Sequence, residues 1–197
     1  MKDNRNYAAV TGAYWGFTLT DGALRMLVLL HFHTLGFSPL DLAFLFLLYE
    51  AMGIFSNFFG GWIGSRFGLR ITLFAGLFIQ ISALLTLSAM QTDCIASLSV
   101  IYVMLAQALN GIAKYLTKMS SKSAVKLVVD DQNQGLLFKW IAILTGSKNA
   151  MKGLGFFLGG ILLQSLGFQH SLWLMAGMLA AILLITVYIV KQDLGKA

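Results

Sequence analysis

One apolar stretch, which runs from Trp140 to Leu163, carries two lysines near its middle and constrains the fold more than any other segment. It is long enough to cross a bilayer core of ~30 Å as a helix. Lys148 and Lys152 are four residues apart, so a helix places them on one face, and Gly155 and Gly159 continue that face. A charge at the bilayer centre costs roughly 2.5–3.5 kcal/mol, so these lysines are not expected to face lipid. The stretch therefore predicts one wall of a polar pocket, and its positive charge favours an anion.

The composition indicates an integral membrane protein of the all-α class. Hydrophobic residues make up 58% of the chain and charged residues only 11%, whereas soluble domains carry about a quarter charged residues. The net charge of +6 is not taken as a nucleic-acid signal, because the basic residues segregate by membrane side. The first apolar segment contains Asp21 and Arg25 and lacks a small-residue cleavage site, so we expect a retained helix rather than a signal peptide.

Polar turns between apolar segments predict a six-helix transmembrane domain over residues 7–190, between a polar head (1–6) and a polar tail (191–197). The predicted spans are about 7–30, 40–63, 71–90, 95–118, 140–163 and 172–190. Every Lys and Arg outside these spans lies on one side, and the turns at 31–41, 91–94 and 164–171 contain none. The positive-inside rule therefore places both termini in the cytoplasm.

Two carboxylates lie inside predicted spans. The first span has a polar stripe at helical period, formed by Tyr14, Thr18, Asp21 and Arg25. Asp21 and Arg25, at i,i+4, can pair, and both a structural ion pair and a role in substrate binding fit this pattern. Glu50 lies near the middle of the second span, where a carboxylate is by default a proton carrier or the partner of a cation. We predict that Asp21 or Glu50 carries a coupling proton.

Four lysines at i,i+4 spacing follow the apolar part of the fourth span, so its end is ambiguous. They are Lys114, Lys118, Lys122 and Lys126. One interpretation is a cytoplasmic helix end whose lysines extend to anionic headgroups, and we adopt it for the last two.

Charge is also distributed by span. Spans 1, 2, 4 and 5 carry polar or charged stripes, whereas spans 3 and 6 carry no charge. This is the pattern of a three-plus-three inverted repeat in which the first two helices of each triplet line a cavity.

The segment from Gly61 to Arg70 resembles the signature between helices 2 and 3 of the major facilitator superfamily, G-x-L-x-D-R-x-G-R-K. The matching positions are Gly61, Arg66, Gly68 and Arg70. Ser65 stands where the family usually has aspartate, and Leu69 replaces an arginine. The resemblance implies half of a facilitator fold and makes the four matching residues a conformational loop.

A second segment, from Gln107 to Gly111, resembles the helix-4 pattern R-x-x-Q-G of the same superfamily. This alignment places Lys114 inside the membrane and Lys118 near its inner mouth. The predicted cavity then holds the cations Arg25, Lys114, Lys118, Lys148 and Lys152, with Asn149 beside them, against Asp21 and Glu50. Such an excess of cations is costly unless an anionic ligand completes it or some lysines are neutral.

Several stretches resemble one family more closely, the organoarsenical efflux permeases encoded in bacterial arsenic-resistance operons. These stretches are residues 14–33, 43–50, 111–114, 118–126 and 143–153. The resemblance implies export of 1-arseno-3-phosphoglycerate across the bacterial inner membrane, and hence arsenate resistance. Facilitators have twelve spans, so the chain is expected to be the amino-terminal half: a truncated product, half of a split transporter, or a six-helix unit that dimerises.

Two other functions stay open from the residues. The chain is either a proton-coupled exporter of another organic anion or drug, or a non-transporting fragment or assembly partner. We do not expect an enzyme, a cofactor or a metal site, because no nucleophile, acid/base pair or metal-ligand cluster stands out. The pair His31 and His33 has poor metal-ligand spacing and is interpreted as interfacial. The expected partners are a small anion, the lipid bilayer and a second six-helix half or copy.

Overall fold

The structure is a computed structural model that describes residues 4–90, 96–127, 129 and 134–190. In this part of the chain there are five α-helices and no strand, so the predicted all-α class is confirmed there. The helices are α1 (Asn4–Thr34), α2 (Pro39–Leu45), α3 (Leu47–Ser88), α4 (Ala96–Ala124) and α5 (Gln134–Ile189), with a 3-10 turn at Val125–Leu127. The predicted turn at 91–94, the tail at 191–197 and the start of the head lie outside the described residues.

The two longest helices are each divided by one glycine. Gly68 in α3 has φ 77° and Gly167 in α5 has φ 75°, a region of backbone conformation that other residues rarely adopt. A straight helix of 56 residues, the length of α5, would extend ~84 Å, far beyond a bilayer core. The divided helices form four arms: α3a (47–67), α3b (69–88), α5a (134–166) and α5b (168–189).

Both glycine breaks have the same side-chain cap. The hydroxyl of Thr72, four residues after Gly68, donates to the Gly68 carbonyl at 3.0 Å. The hydroxyl of Ser171, four residues after Gly167, donates to the Gly167 carbonyl at 2.5 Å. The two breaks are therefore structurally equivalent, although the sequences around them differ.

Contacts with neighbouring helices show that each break reverses the direction of the chain. Helix α3a runs parallel to α4, because Tyr49 contacts Gly111 and Gly53 contacts Tyr115. Helix α3b runs antiparallel to α4, because Thr72 contacts Ser120 and Gly76 contacts Thr117. Helix α5a runs parallel to α1, because Gly155 contacts Leu19 and Gly159 contacts Ala23. Helix α5b runs antiparallel to α1, because Phe168 stacks on His31 and Ile182 contacts Gly16. Helices α3 and α5 are therefore helical hairpins.

The hairpins are exchanged between the two parts of the sequence. The α3 hairpin follows α1 in the chain but packs chiefly on α4, and the α5 hairpin follows α4 but packs chiefly on α1. Helix α1 thus packs with a hairpin from the later part of the chain, and α4 packs with a hairpin from the earlier part.

Three stretches of the described residues are long and apolar enough to cross a membrane. They are Pro39–Phe59, Arg66–Ser88 and Gln134–Ile189, with mean hydropathies of 1.6, 1.9 and 2.4, and the last contains both arms of α5. Helices α1 and α4 fall below the same threshold because they carry the polar stripes.

Three predicted boundaries differ from the structure. The second predicted span begins as the separate helix α2, which Ser38 caps by accepting from the backbone N–H of Asp41 and which ends before Phe46. The predicted polar connection at 128–139 is already helical from Gln134, because Leu136 and Leu137 continue the apolar pattern of α5. The predicted turn at 164–171 is helical on both sides of the single break at residue 167.

Candidate anion-binding site

The polar stripe of α1 faces the interior of the bundle. Tyr14, Thr18 and Asp21 are only 5%, 5% and 3% exposed. Thr18 satisfies its own hydroxyl by donating to the carbonyl of Tyr14 at 2.8 Å, which leaves the carboxylate of Asp21 as the stripe's main buried acceptor.

Helix α5a approaches α1 at the level of the backbone. A Cβ atom added to Gly22 would lie 2.6 Å from the carbonyl oxygen of Lys152, and Gly155 and Gly159 contact carbonyl groups of α1 in the same way. Only small residues allow two helices to come this close. The predicted face of α5a therefore packs beside Asp21, whereas Ile143, Leu154, Phe157 and Ile161 on the opposite side are exposed.

Asp21 is held by neutral donors from two other helices. The Tyr49 hydroxyl donates to Asp21 Oδ1 at 2.9 Å, and Asn110 Nδ2 donates to the same oxygen at 3.0 Å. Asp21 and Arg25 do not form the direct ion pair that their spacing allows. The guanidinium of Arg25 instead extends over the Tyr49 ring and reaches Glu50.

Glu50 joins cations from two helices. Arg25 Nη2 lies 2.7 Å from Glu50 Oε1, and Lys114 Nζ lies 3.7 Å from Glu50 Oε2. The Glu50 side chain is 54% exposed, in contrast to the buried carboxylate of Asp21. The three charged residues come from α1, α3a and α4, which makes this cluster a product of tertiary packing.

The ring of Tyr49 lies between the two carboxylate regions. The Arg25 Cζ atom is 4.0 Å from the ring centroid and the Lys114 Nζ atom is 4.6 Å from it, both within the range of cation–π attraction. Tyr49 is fully buried, and its hydroxyl reaches Asp21. Neither Tyr49 nor Asn110 is among the residues selected from the sequence. The available signals are that Tyr49 is next to Glu50 and that Asn110 lies within the segment that resembles the helix-4 pattern.

The remaining predicted lysines gather around this cluster. Lys148 interacts electrostatically with Lys118, Lys152 and Asp21, and the charge of Lys152 acts on Glu50 and Lys114. Lys118 Nζ lies 5.0 Å from the centroid of the Tyr115 ring. Within the described part of the chain, Lys118, Lys148 and Lys152 form no salt bridge with a carboxylate.

The other predicted residues lie elsewhere. Asn149 is exposed on α5a, outside the face that packs on α1. Gly68 forms the break in α3, with Gly61 in the preceding arm. Arg66 Cζ lies 5.3 Å from the Trp62 ring centroid and Arg70 Cζ lies 5.2 Å from that of Phe74. The segment predicted as a conformational loop is thus two helix ends that meet at a single glycine.

Known proteins resemble the chain in family and fold. The sequence profile of the Major Facilitator Superfamily matches residues 9–196. A mutant of the peptide transporter POT in complex with alafosfalin superimposes with a TM-score of 0.73 at 17% identity, covering 92% of this chain and 37% of the transporter. The same transporter in complex with sulfate gives a TM-score of 0.71 at 17% identity, with coverages of 96% and 38%.

The chain spans little more than a third of the length of these transporters, and at 17% identity the likeness shows the fold alone. No curated protein matches the chain. The superfamily profile covers nearly all of the sequence, and the fold agrees with it. The chain therefore belongs to the Major Facilitator Superfamily of membrane transporters and is not of an enzyme family.

Proposed function

We propose that the chain forms the six spans of half a facilitator transporter and exports an organic anion. The observation that carries this proposal is the excess of positive charge on the interior faces of α1, α4 and α5a. The five cations Arg25, Lys114, Lys118, Lys148 and Lys152 gather near two carboxylates, Asp21 and Glu50, and five minus two leaves three positive charges.

Three of these cations favour a ligand with more than one negative group. Arg25 and Lys114 already contact Glu50, whereas Lys148 is repelled by Lys152 on its own helix and by Lys118 on α4. Several like charges at membrane depth are costly, and an anion that contacts them all offsets that cost. Lysine binds phosphate as a point charge, so a phosphate or arsenate group suits this cluster.

For the substrate we propose the organoarsenical 1-arseno-3-phosphoglycerate, on the strength of the close resemblance of several stretches to organoarsenical efflux permeases. This molecule carries phosphate and arsenate on a small body, which fits a cavity with separated cations. Export across the bacterial inner membrane would confer arsenate resistance. A second six-helix half, or a second copy, completes the cavity, because alternating access needs two units that rock around one site.

Asp21 and Glu50 are the proposed carriers of a coupling proton, and Asp21 is the better placed of the two. Its contacts with Tyr49 and Asn110 leave its negative charge without a directly bound cation, so a proton would neutralise a buried charge. Glu50 is already neutralised by Arg25 and Lys114.

Uptake of arsenic into everted membrane vesicles tests the proposal, with the organoarsenical generated outside the vesicles by the dehydrogenase that acts on arsenate. We expect the double variant Lys148→Ala, Lys152→Ala to reduce uptake by at least about tenfold, since each loses a charge-assisted contact with the anion. Lys139→Ala is the matched control, because Lys139 is exposed on the same helix and away from the cluster. Unchanged uptake in the double variant would contradict the proposed site.

Competition separates this substrate from the alternatives. Phosphorylated three-carbon acids should inhibit uptake if the phosphate group is recognised. An exporter of some other organic anion or drug would be insensitive to them. A non-transporting fragment or assembly partner would show no uptake that depends on Lys148 and Lys152, even when a second six-helix half is co-expressed.

A further inference from the structure

We propose that Glu50 is an internal substitute for the substrate anion, so that the incoming ligand binds by displacing its carboxylate from Arg25 and Lys114. The inference rests on the proposed function to the extent that the site must bind an anion. It assigns Glu50 a role in selecting the ligand, distinct from the proton-carrying role.

The contacts of Glu50 are those that an oxyanion would make. One carboxylate oxygen lies 2.7 Å from Arg25 Nη2, and the other lies 3.7 Å from Lys114 Nζ. A phosphate or arsenate group presents two oxygens with similar spacing and carries more negative charge. The position that Glu50 occupies is therefore the one that the ligand needs.

The cations stay in place without Glu50. The Tyr49 ring supports both of them, with the Arg25 Cζ atom 4.0 Å and the Lys114 Nζ atom 4.6 Å from its centroid. Tyr49 is fully buried and is anchored through its hydroxyl to Asp21, so it does not depend on Glu50. The anion site is thus preorganised on an aromatic ring rather than by the carboxylate that fills it.

Glu50 is also free to leave. Its side chain is 54% exposed, whereas the side chains of Arg25 and Lys114 are 20% and 27% exposed, so Glu50 is the member of the cluster with room to move. Asp21 cannot be displaced in this way, since it is buried and accepts hydrogen bonds from neutral donors. Of the two carboxylates, only Glu50 can exchange with a ligand.

Such competition selects ligands by charge. A monocarboxylate gains nothing over Glu50, because it replaces one carboxylate with another. A divalent oxyanion has a stronger attraction for the same two cations and displaces Glu50. The carboxylate thereby excludes abundant monovalent acids from a site that would otherwise bind them.

Equilibrium binding to the purified full chain in detergent tests this, with inorganic phosphate as the divalent probe and lactate as the monovalent one. We expect Glu50→Gln to bind phosphate about tenfold more tightly than wild type, the order of a charge-assisted contact at a partly exposed site. Lactate should bind measurably only to this variant. Asp41→Asn makes the same change in net charge at an exposed position on α2 and should bind like wild type.

The outcomes separate the inference from the proposed function. If wild type binds phosphate and Glu50→Gln binds it equally or more weakly, Glu50 is not a substitute anion and the proposed function stands. If Asp41→Asn tightens binding as much as Glu50→Gln, the effect is one of net charge and the inference fails. If neither wild type nor Glu50→Gln binds phosphate or arsenate, both proposals fail, provided that circular dichroism shows the helical content of wild type.

Discussion

Asp21 and Glu50 are two carboxylates near the same tyrosine, Tyr49, and they differ in exposure and in the groups that they contact. Asp21 is 3% exposed and bonds to a hydroxyl and an amide, whereas the Glu50 side chain is 54% exposed and contacts two cations. The buried group is fixed by donors that belong to the packed core. The exposed group is paired with two cations, Arg25 and Lys114.

On the proposed function, the difference assigns stability to one carboxylate and binding to the other. Removal of a buried hydrogen-bonded acceptor lowers the free energy of unfolding, because its donors are then left without partners. An ion pair with a half-exposed carboxylate contributes less to stability, because the pair is partly screened. Tyr49 belongs to both regions, through its hydroxyl on one side and its ring face on the other.

The largest effect is expected at Asp21. Asp21→Ala should lower the free energy of unfolding by about 3 kcal/mol, because the Tyr49 hydroxyl and the Asn110 amide lose their shared acceptor in the core. Thermal unfolding in detergent measures this. Asp21→Asn keeps one acceptor oxygen and should cost clearly less; equal losses in the two variants would show that charge, not hydrogen bonding, holds this region.

Tyr49 tests whether the two regions are coupled. Tyr49→Phe removes the donor to Asp21 but keeps the ring under Arg25 and Lys114, so it should cost about 1 kcal/mol of stability and leave phosphate binding within about twofold of wild type. Tyr49→Leu removes the ring as well and should weaken phosphate binding by several-fold, since each cation–π contact contributes about 0.5–2 kcal/mol. Equal binding by the two variants would argue against support of the cations by the ring.

The smallest effect on stability is expected at Glu50. Glu50→Gln should change the free energy of unfolding by less than about 1 kcal/mol, because the Glu50 side chain is 54% exposed and the glutamine oxygen still accepts a hydrogen bond from Arg25. The same thermal unfolding assay applies. A loss comparable to that of Asp21→Ala would remove the distinction between the two carboxylates.

Much of this arrangement follows from sequence periodicity. The face of α5a that carries Lys148 and Lys152 was predicted from their spacing, and Gly155 and Gly159 on that face are buried against α1. Charge alone singled out Asp21, Arg25 and Glu50. The free-energy cost of placing a charge in the membrane depends on the residue type and its depth, so charged residues can be selected from the sequence of a single helix.

The pairing of these residues could not be predicted in that way. Arg25 meets Glu50 rather than its i,i+4 neighbour because a third residue, Tyr49, intervenes from another helix. Tyr49 sits in an apolar run and carries no charge, so periodicity gives no reason to select it. The sequence predicts a turn at 164–171, but no motif there marks Gly167 as the break. Its equivalence to Gly68 appears only in the backbone angles and the caps that follow.

The exchanged hairpins have a consequence for biosynthesis. Asp21 and Gly22 leave the ribosome before α5a, the helix that packs against Gly22, because α5a lies more than a hundred residues later in the chain. Until the α5 hairpin is inserted, helix α1 lacks its packing contacts with α5a. Assembly of the bundle is therefore a late and cooperative event, and a nascent chain halted before α5a would present a charged, unfinished helix to the translocon and to membrane quality control.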